Sequence, residues 1–294
     1  MNNMPEMRRK KLKEIIKNKQ YIRVMEASNG LTGLIVENTK VANKEYDAMW
    51  ISSLCDSTLK GKPDNEVVDF SSRVKTIEEI MEVTSKPIIV DGDTGGKIEH
   101  FALNIKTLER LGVSAVIIED KKGLKQNSML GDKVLQVLED KEIFADKIAK
   151  GKQALKTNDF MIFARIESFI AGKDLNDALE RAETYIKAGA DGIMIHSYKS
   201  DGKEVIEFLK IFKKKYPDIV TVVVPTTYAI YTEKELNKYG ADIIIYANHL
   251  LRSAYPAMLE TAKMILDNER SYEASERYCM SMKEILELIG EKDD

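Results

Sequence analysis

The sequence predicts a (β/α)8 barrel of the TIM type, and three observations carry that reading. Eight short β-branched runs recur along the 294 residues, amphipathic helical patterns separate them, and no Gly/Ser/Pro linker or composition break divides the chain. The expected organisation is one domain over 1–294: an N-terminal helix at 1–20, the barrel at 21–266 and a C-terminal helical extension at 267–294.

The opening segment MRRKKLKEIIKNKQ places Leu12, Ile15 and Ile16 on one helical stripe, so it reads as a helix laid on the body with its basic residues in water. Strands follow at YIRVMEA 21–27, DAMWIS 47–52, PIIVDGD 87–93, SAVIIED 114–120, FMIFARIES 160–168, DGIMIHS 191–197, TVVVPT 221–226 and DIIIYAN 242–248. Near-continuous Ile and Val runs mark strands covered on both faces, as in a parallel sheet. Between them Phe101, Ala102, Ile105, Leu108 and Leu111 keep helical spacing, as do Leu175, Ala178, Leu179, Ala182 and Ile186. The turns RLGVSA, KAGADG and KYGADI each place a glycine where a helix ends in a left-handed residue. The first strand runs into MEASNGLTG, which has no G-x-G-x-x-G dinucleotide fingerprint. After the last strand, residues 249–294 hold more helix than one barrel unit needs, and their Met and aromatic residues at helical spacing read as core or subunit interface.

Composition narrows the function classes. A formal charge of −3 gives no general reason to expect nucleic-acid binding, and no apolar run nears the roughly 18 residues of a membrane span. Cys55 and Cys279 are too few for a disulfide framework, and no apolar secretory segment opens the sequence, so a cytoplasmic protein is expected. Cys55 itself reads as a small apolar filler.

A barrel collects its chemistry at the C-terminal ends of its strands. Polar residues fall there: Trp50 and Ser52, Asp91 and Asp93, Glu119 and Asp120, Arg165 and Glu167, His196, then Asn248 and His249. Asp91 and Asp93 are two apart, so in extended chain they point to one side, with Glu119 on the neighbouring strand. Three carboxylates without cysteine or H-x-x-x-H spacing suit a hard ion held mostly through water, magnesium or manganese. Arg165 offers a planar fork for phosphate or carboxylate. Each has an ordinary alternative: helix caps or lysine partners for the acids, Glu167 as a buried partner for Arg165, and a core position for His196.

These residues resemble the phosphoenolpyruvate mutase family of the isocitrate lyase superfamily. EDKKGLKQNS 119–128 fits its E-D-K-x-x-x-K-x-N-S pattern. Further matches are MEASNGL 25–31, WISSL 50–54, DNE 64–66, DGDTG 91–95, ARIESFIAG 164–172, AGADGIMIHS 188–197, VVPTTY 223–228 and ANHLLRSA 247–254. The resemblance implies reversible conversion of phosphoenolpyruvate to phosphonopyruvate, the entry to phosphonates. It implies that Asp91 holds Mg2+, with Mn2+ as the alternative, that Asp93 and Glu119 bind its waters, and that Asp64 completes the outer shell. Trp50, Ser52, and the backbone around Ser53 and Leu54 would meet the substrate. Arg165 and His196 would hold the phosphoryl end, with Lys125, Asn127 and Ser128 arriving on a lid.

A homotetramer or dimer is also implied, with the last helix swapped onto a neighbouring subunit, and a phosphonopyruvate decarboxylase or aminotransferase downstream. Phosphonopyruvate hydrolase shares the metal set but usually carries threonine at the position of Asn127. A carbon–carbon lyase would need a lid cysteine in K-[KR]-C-G-H, where this chain has Lys125-Gln126-Asn127-Ser128. An oxaloacetate or acylpyruvate hydrolase and a non-catalytic metabolite-binding relative complete the alternatives. Against the usual pattern, DGDTGGKIEHF is one residue shorter and Ser53 stands where glycine is common.

Overall fold

The eight expected strands close on themselves. In a computed structural model that describes residues 4–290, they are β1 (Ile22–Glu26), β4 (Ala48–Ile51), β5 (Ile88–Asp91), β6 (Ala115–Glu119), β7 (Met161–Ile166), β8 (Gly192–Ile195), β9 (Val220–Val223) and β10 (Ile243–Tyr246). The remaining pair, β2 (Lys40–Val41) and β3 (Lys44–Glu45), forms a small exposed antiparallel hairpin outside the eight expected strands. Residues 1–3 of the expected N-terminal helix and 291–294 of the expected extension lie outside the described residues. The barrel order is β1-β10-β9-β8-β7-β6-β5-β4, and every pairing is parallel.

Alternation along the strands divides their side chains between two cores. Ile22 and Val24, Trp50, Ile117, Phe163 and Ile245 belong to one cluster filling the barrel. Their neighbours in sequence, such as Met49, Ile118, Ile162 and Ile244, are equally buried, so both faces of the sheet are dry. This explains the unbroken Ile/Val runs.

Helices cover the outside. In chain order they are α1 (Pro5–Asn18), α2 (Gly30–Asn38), α3 (Ser53–Leu59), α4 (Phe70–Val83), α5 (Ile98–Leu111), α6 (Lys141–Ala154), α7 (Leu175–Lys187), α8 (Lys203–Lys215) and α9 (Glu233–Tyr239). Gly112, Gly189 and Gly240 have φ of 100°, 101° and 115°, the left-handed stops the turns required. Leu12 of α1 joins the barrel cluster, with Ile15 and Ile16 packed on it. The expectation of solvated charges on this helix fails for two residues. Arg8 and Arg9 are buried, Arg8 donating to the Lys86 carbonyl at 3.0 Å and Arg9 to the Glu109 carbonyl. The Arg8 guanidinium satisfies a buried carbonyl just before β5, and Arg9 adds a second donor to the Glu109 carbonyl, which also accepts the Gly112 N–H at the end of α5.

The chain divides after Ala247 into two compact units. The second contains α10 (His249–Asn268), α11 (Tyr272–Tyr278) and α12 (Met282–Leu288). No residue of α10 is buried, and Tyr255, Met258, Leu259 and Leu266 are exposed.

Candidate active site

Acidic and basic side chains converge at the C-terminal mouth of the barrel in two adjoining groups. The first is built on the ends of β4 and β5. Ser52 caps α3, its hydroxyl accepting the Cys55 N–H at 3.4 Å, which sets Ser53 and Leu54 in the first turn, where no intrahelical carbonyl reaches their N–H groups. Ser53 donates to Asp91 Oδ2 through its hydroxyl at 2.8 Å and its amide at 3.3 Å.

Asp91 and Asp93 do meet, but not by strand alternation. β5 ends at Asp91, and Asp93 takes the left-handed conformation with φ of 52°, which a short carboxylate side chain tolerates better than most. The turn brings the Asp93 N–H to Asp91 Oδ1 at 3.2 Å. Lys125 then closes the group, with Nζ 2.6 Å from Asp93, 3.2 Å from Asp64 and 3.8 Å from Asp91, and it also donates to the Ser53 hydroxyl. Asn127 Nδ2 donates to the other Asp64 oxygen at 2.9 Å. Lid and α3–α4 loop are thereby tied together.

The second group stands on β6, β7 and β8. Arg165 pairs with Glu167 through Nε and approaches Glu119 at 3.3 Å. Ser128 receives Arg165 Nη2 at 2.8 Å and Lys121 Nζ at 2.6 Å, and donates to Glu167 Oε2 at 2.5 Å. His196 Nδ1 lies 2.8 Å from Glu167 Oε1 and 2.9 Å from Arg165. The ordinary reading of Arg165 as a partner for Glu167 is therefore correct, and so is its place at the mouth.

Burial and charge set the protonation of these groups in opposite directions. Burial pushes the Asp91 carboxyl up, but Lys125, Arg165 and Arg73 outweigh it and hold it below its usual range. Burial dominates at Asp93, which is raised against the pull of Lys125 and Arg73. Glu119 is pushed up to about 7, burial outweighing Arg165 and Lys121 while Glu167 adds to it. Burial disfavours the charged His196 ring, and Arg165 lowers it further. Lys125 stays protonated, because Asp91, Asp93, Glu119 and Asp64 overcome its desolvation.

The donor set fits a hard divalent cation. Asp91, Asp93 and Glu119 are all at least nine-tenths buried, and neither carboxylate oxygen of Glu119 has a hydrogen-bond partner. Arg165 at 3.3 Å and Lys121 at 3.8 Å approach Glu119 as charges, and its unused hydrogen-bonding capacity suits ordered water or a hydrated cation. In the present arrangement no three acid, histidine or cysteine side chains among the described residues converge closely enough to enclose one ion, since Lys125 stands among Asp64, Asp91 and Asp93.

The sequence placed most of these residues and missed others. Trp50 is at the expected strand end, but it is packed in the barrel cluster with its indole N–H unpaired. Asp120 turns away from the mouth, toward α7. Arg73 was not foreseen: it donates to the Asp91 carbonyl at 3.1 Å and pairs with Asp93 at 2.7 Å. The available signal was a lone arginine in register with Ile77 and Ile80 on the buried stripe of α4. Lys121, to which the sequence assigns no role of its own, is buried and pairs with Glu167 at 3.1 Å.

Comparison with known proteins agrees with this geometry. Residues 12–266 match the sequence profile of the phosphoenolpyruvate phosphomutase family. The chain is 34% identical over 283 residues to the phosphoenolpyruvate phosphomutase of Tetrahymena pyriformis, spanning 96% of this chain and 91% of that protein. A crystal structure of phosphoenolpyruvate phosphomutase from Streptomyces platensis subsp. rosaceus superposes with a TM-score of 0.88 at 32% identity, covering 95% of this chain and 94% of that one. A phosphonopyruvate hydrolase in complex with oxalate and Mg2+ superposes with a TM-score of 0.86 at 30% identity, covering 97% and 95%.

Proposed function

The chain belongs to the phosphoenolpyruvate phosphomutase family, and from that premise we propose that it is an isomerase interconverting phosphoenolpyruvate and phosphonopyruvate. The phosphoryl group would move between the enol oxygen and C3 of pyruvate. The observation that carries this reading is the lid: Asn127 and Lys125 are bonded to Asp64 on one side, and Ser128 to Arg165 and Glu167 on the other.

A phosphoryl group in transit is loose and metaphosphate-like, so the protein's work is positioning and charge stabilisation. Arg165 supplies a fixed fork for the phosphoryl oxygens, and Glu167 holds that fork in place while orienting His196 beside it. Ser52 and the first-turn amide of Leu54 offer donors to the pyruvate carboxylate, beside the Ser53 amide that here donates to Asp91. Lys125 and Asn127 bring a cation and an amide over the reacting atoms, and the lid keeps water from intercepting the phosphoryl group. A divalent ion, Mg2+ or Mn2+, would be held by Asp91 with Asp93 and Glu119 reaching its waters, and would supply Lewis-acid stabilisation of the pyruvate enolate.

Phosphorus NMR of the protein with Mg2+ and phosphonopyruvate tests the assignment. Phosphoenolpyruvate without free phosphate is expected. Phosphate with pyruvate would make the chain a hydrolase, and no turnover would leave a non-catalytic relative. The exposed apolar residues of α10 support a homo-oligomer in which this helix meets a neighbouring copy. Because the carbon–phosphorus isomer is the less stable one, a decarboxylase or aminotransferase that consumes phosphonopyruvate is expected to draw the reaction forward.

A further inference from the structure

The lid crosses the mouth from β6 over the end of β7, and its far side reaches the loop that follows β8. One point of contact is Gly131. Gly131 is buried, with φ of 52° and ψ of −128°, a conformation that side-chain-bearing residues rarely take. A Cβ built on it would lie 3.1 Å from Tyr198 Cε2 and Cζ and 3.2 Å from Cδ2, so the glycine backbone rests on the face of that ring. Tyr198 is two residues beyond His196, and Gly131 is three beyond Ser128, whose hydroxyl is bonded to Arg165. Between the two anchors lie Met129 and Leu130, both exposed.

We propose that Tyr198 is the specificity-determining seal at the phosphoryl end of the site: its ring, pressed on Gly131, excludes the water that would turn isomerisation into hydrolysis. This rests on the mutase reading. Asn127 ties the lid to Asp64 on the opposite side, so the Tyr198 contact closes the side nearest Arg165 and His196. The diverted reaction balances simply. As the carbon–phosphorus bond breaks, a water oxygen forms the new bond to phosphorus, and the C3 carbanion equivalent takes up one proton, giving phosphate and pyruvate. The ring face performs this task, since the atoms a Cβ at Gly131 would meet first are the ring carbons Cε2, Cζ and Cδ2.

Phosphorus NMR with Mg2+ and phosphonopyruvate is run on wild type, Tyr198→Ala, Tyr198→Phe and Gly131→Ala, with hydrogen exchange of the 128–138 amides measured in parallel. Tyr198→Ala is expected to raise the ratio of phosphate to phosphoenolpyruvate by about tenfold or more, the low end of what one apolar contact contributes to discrimination. Gly131→Ala should do the same by pushing the lid off the ring, and Tyr198→Phe should keep the wild-type ratio. An unchanged ratio in Tyr198→Ala, or loss of all turnover without phosphate, overturns the proposal. If wild type itself releases only phosphate, the mutase reading fails separately. The seal is then judged by exchange, which must quicken in Tyr198→Ala and not in Tyr198→Phe.

Discussion

Glu119 and Asp120 are adjacent, acidic and almost wholly buried, yet they belong to different parts of the molecule. Glu119 faces the mouth, and both its oxygens lack hydrogen bonds. Asp120 faces the outer wall, where Oδ1 accepts the Glu167 N–H at 2.9 Å and Oδ2 accepts Arg181 at 3.1 Å and the Tyr185 hydroxyl at 2.7 Å. The fold brings charge to Glu119, Arg165 at 3.3 Å and Lys121 at 3.8 Å, without a hydrogen bond, while it meets the demand of Asp120 with donors. Buried charge alone therefore does not mark a site; at Glu119 it comes with unused hydrogen-bonding capacity and a place at the mouth.

Asp120→Ala should show the largest effect. It removes the buried carboxylate of Arg181, leaves that guanidinium with Asp177 and frees the Glu167 backbone, and breaking one side of a buried pair costs up to about 3–5 kcal/mol. Thermal unfolding checks this, and a melting temperature within a degree of wild type would erase the contrast. Asn127→Ala comes next, removing the lid's amide from Asp64. Turnover is expected to fall by about 100-fold, the size of losing one positioned donor, with Mg2+ binding retained in calorimetry. Retained turnover would count against the lid assignment. Glu119→Gln should weaken Mg2+ by roughly 10–100-fold, as outer-shell partners do. Its melting change should stay smaller than that of Asp120→Ala, because Arg165 and Lys121 keep Glu167 as a partner.

The same contrast explains what was legible in the sequence. Strand runs and glycine stops are local signals, so the barrel and its mouth could be read directly. The strand ends correctly delivered Asp91, Glu119, Arg165 and His196. Which way adjacent side chains turn was harder: Glu119 and Asp120 both looked like mouth residues until alternation sent one to α7. Asp91 and Asp93 were paired by the wrong geometry, since a left-handed turn, not extended chain, brings them together. Arg73 and Lys121 were hidden because their partners, Asp93 and Glu167, are brought to them only by barrel closure.

Tyr185→Phe gives the smallest and cleanest test, because it removes one hydroxyl from the satisfied network and leaves the ring stacked edge-on against Phe144 at 4.8 Å. Asp120 keeps Arg181 and the Glu167 amide, so no charge is stranded. The loss is that of a hydrogen bond to a charged group, about 1.5–3 kcal/mol, or a drop of several degrees at roughly 2–4 °C per kcal/mol. Chemistry at the mouth should not follow, since Tyr185 touches Asp120 and Arg181 but none of the groups assigned to substrate. Lower stability with unchanged kcat and KM would place this wall wholly in the scaffold. A fall in kcat at constant KM would instead mean that the Asp120 oxygens hold Glu167, and through it Arg165, in catalytic register.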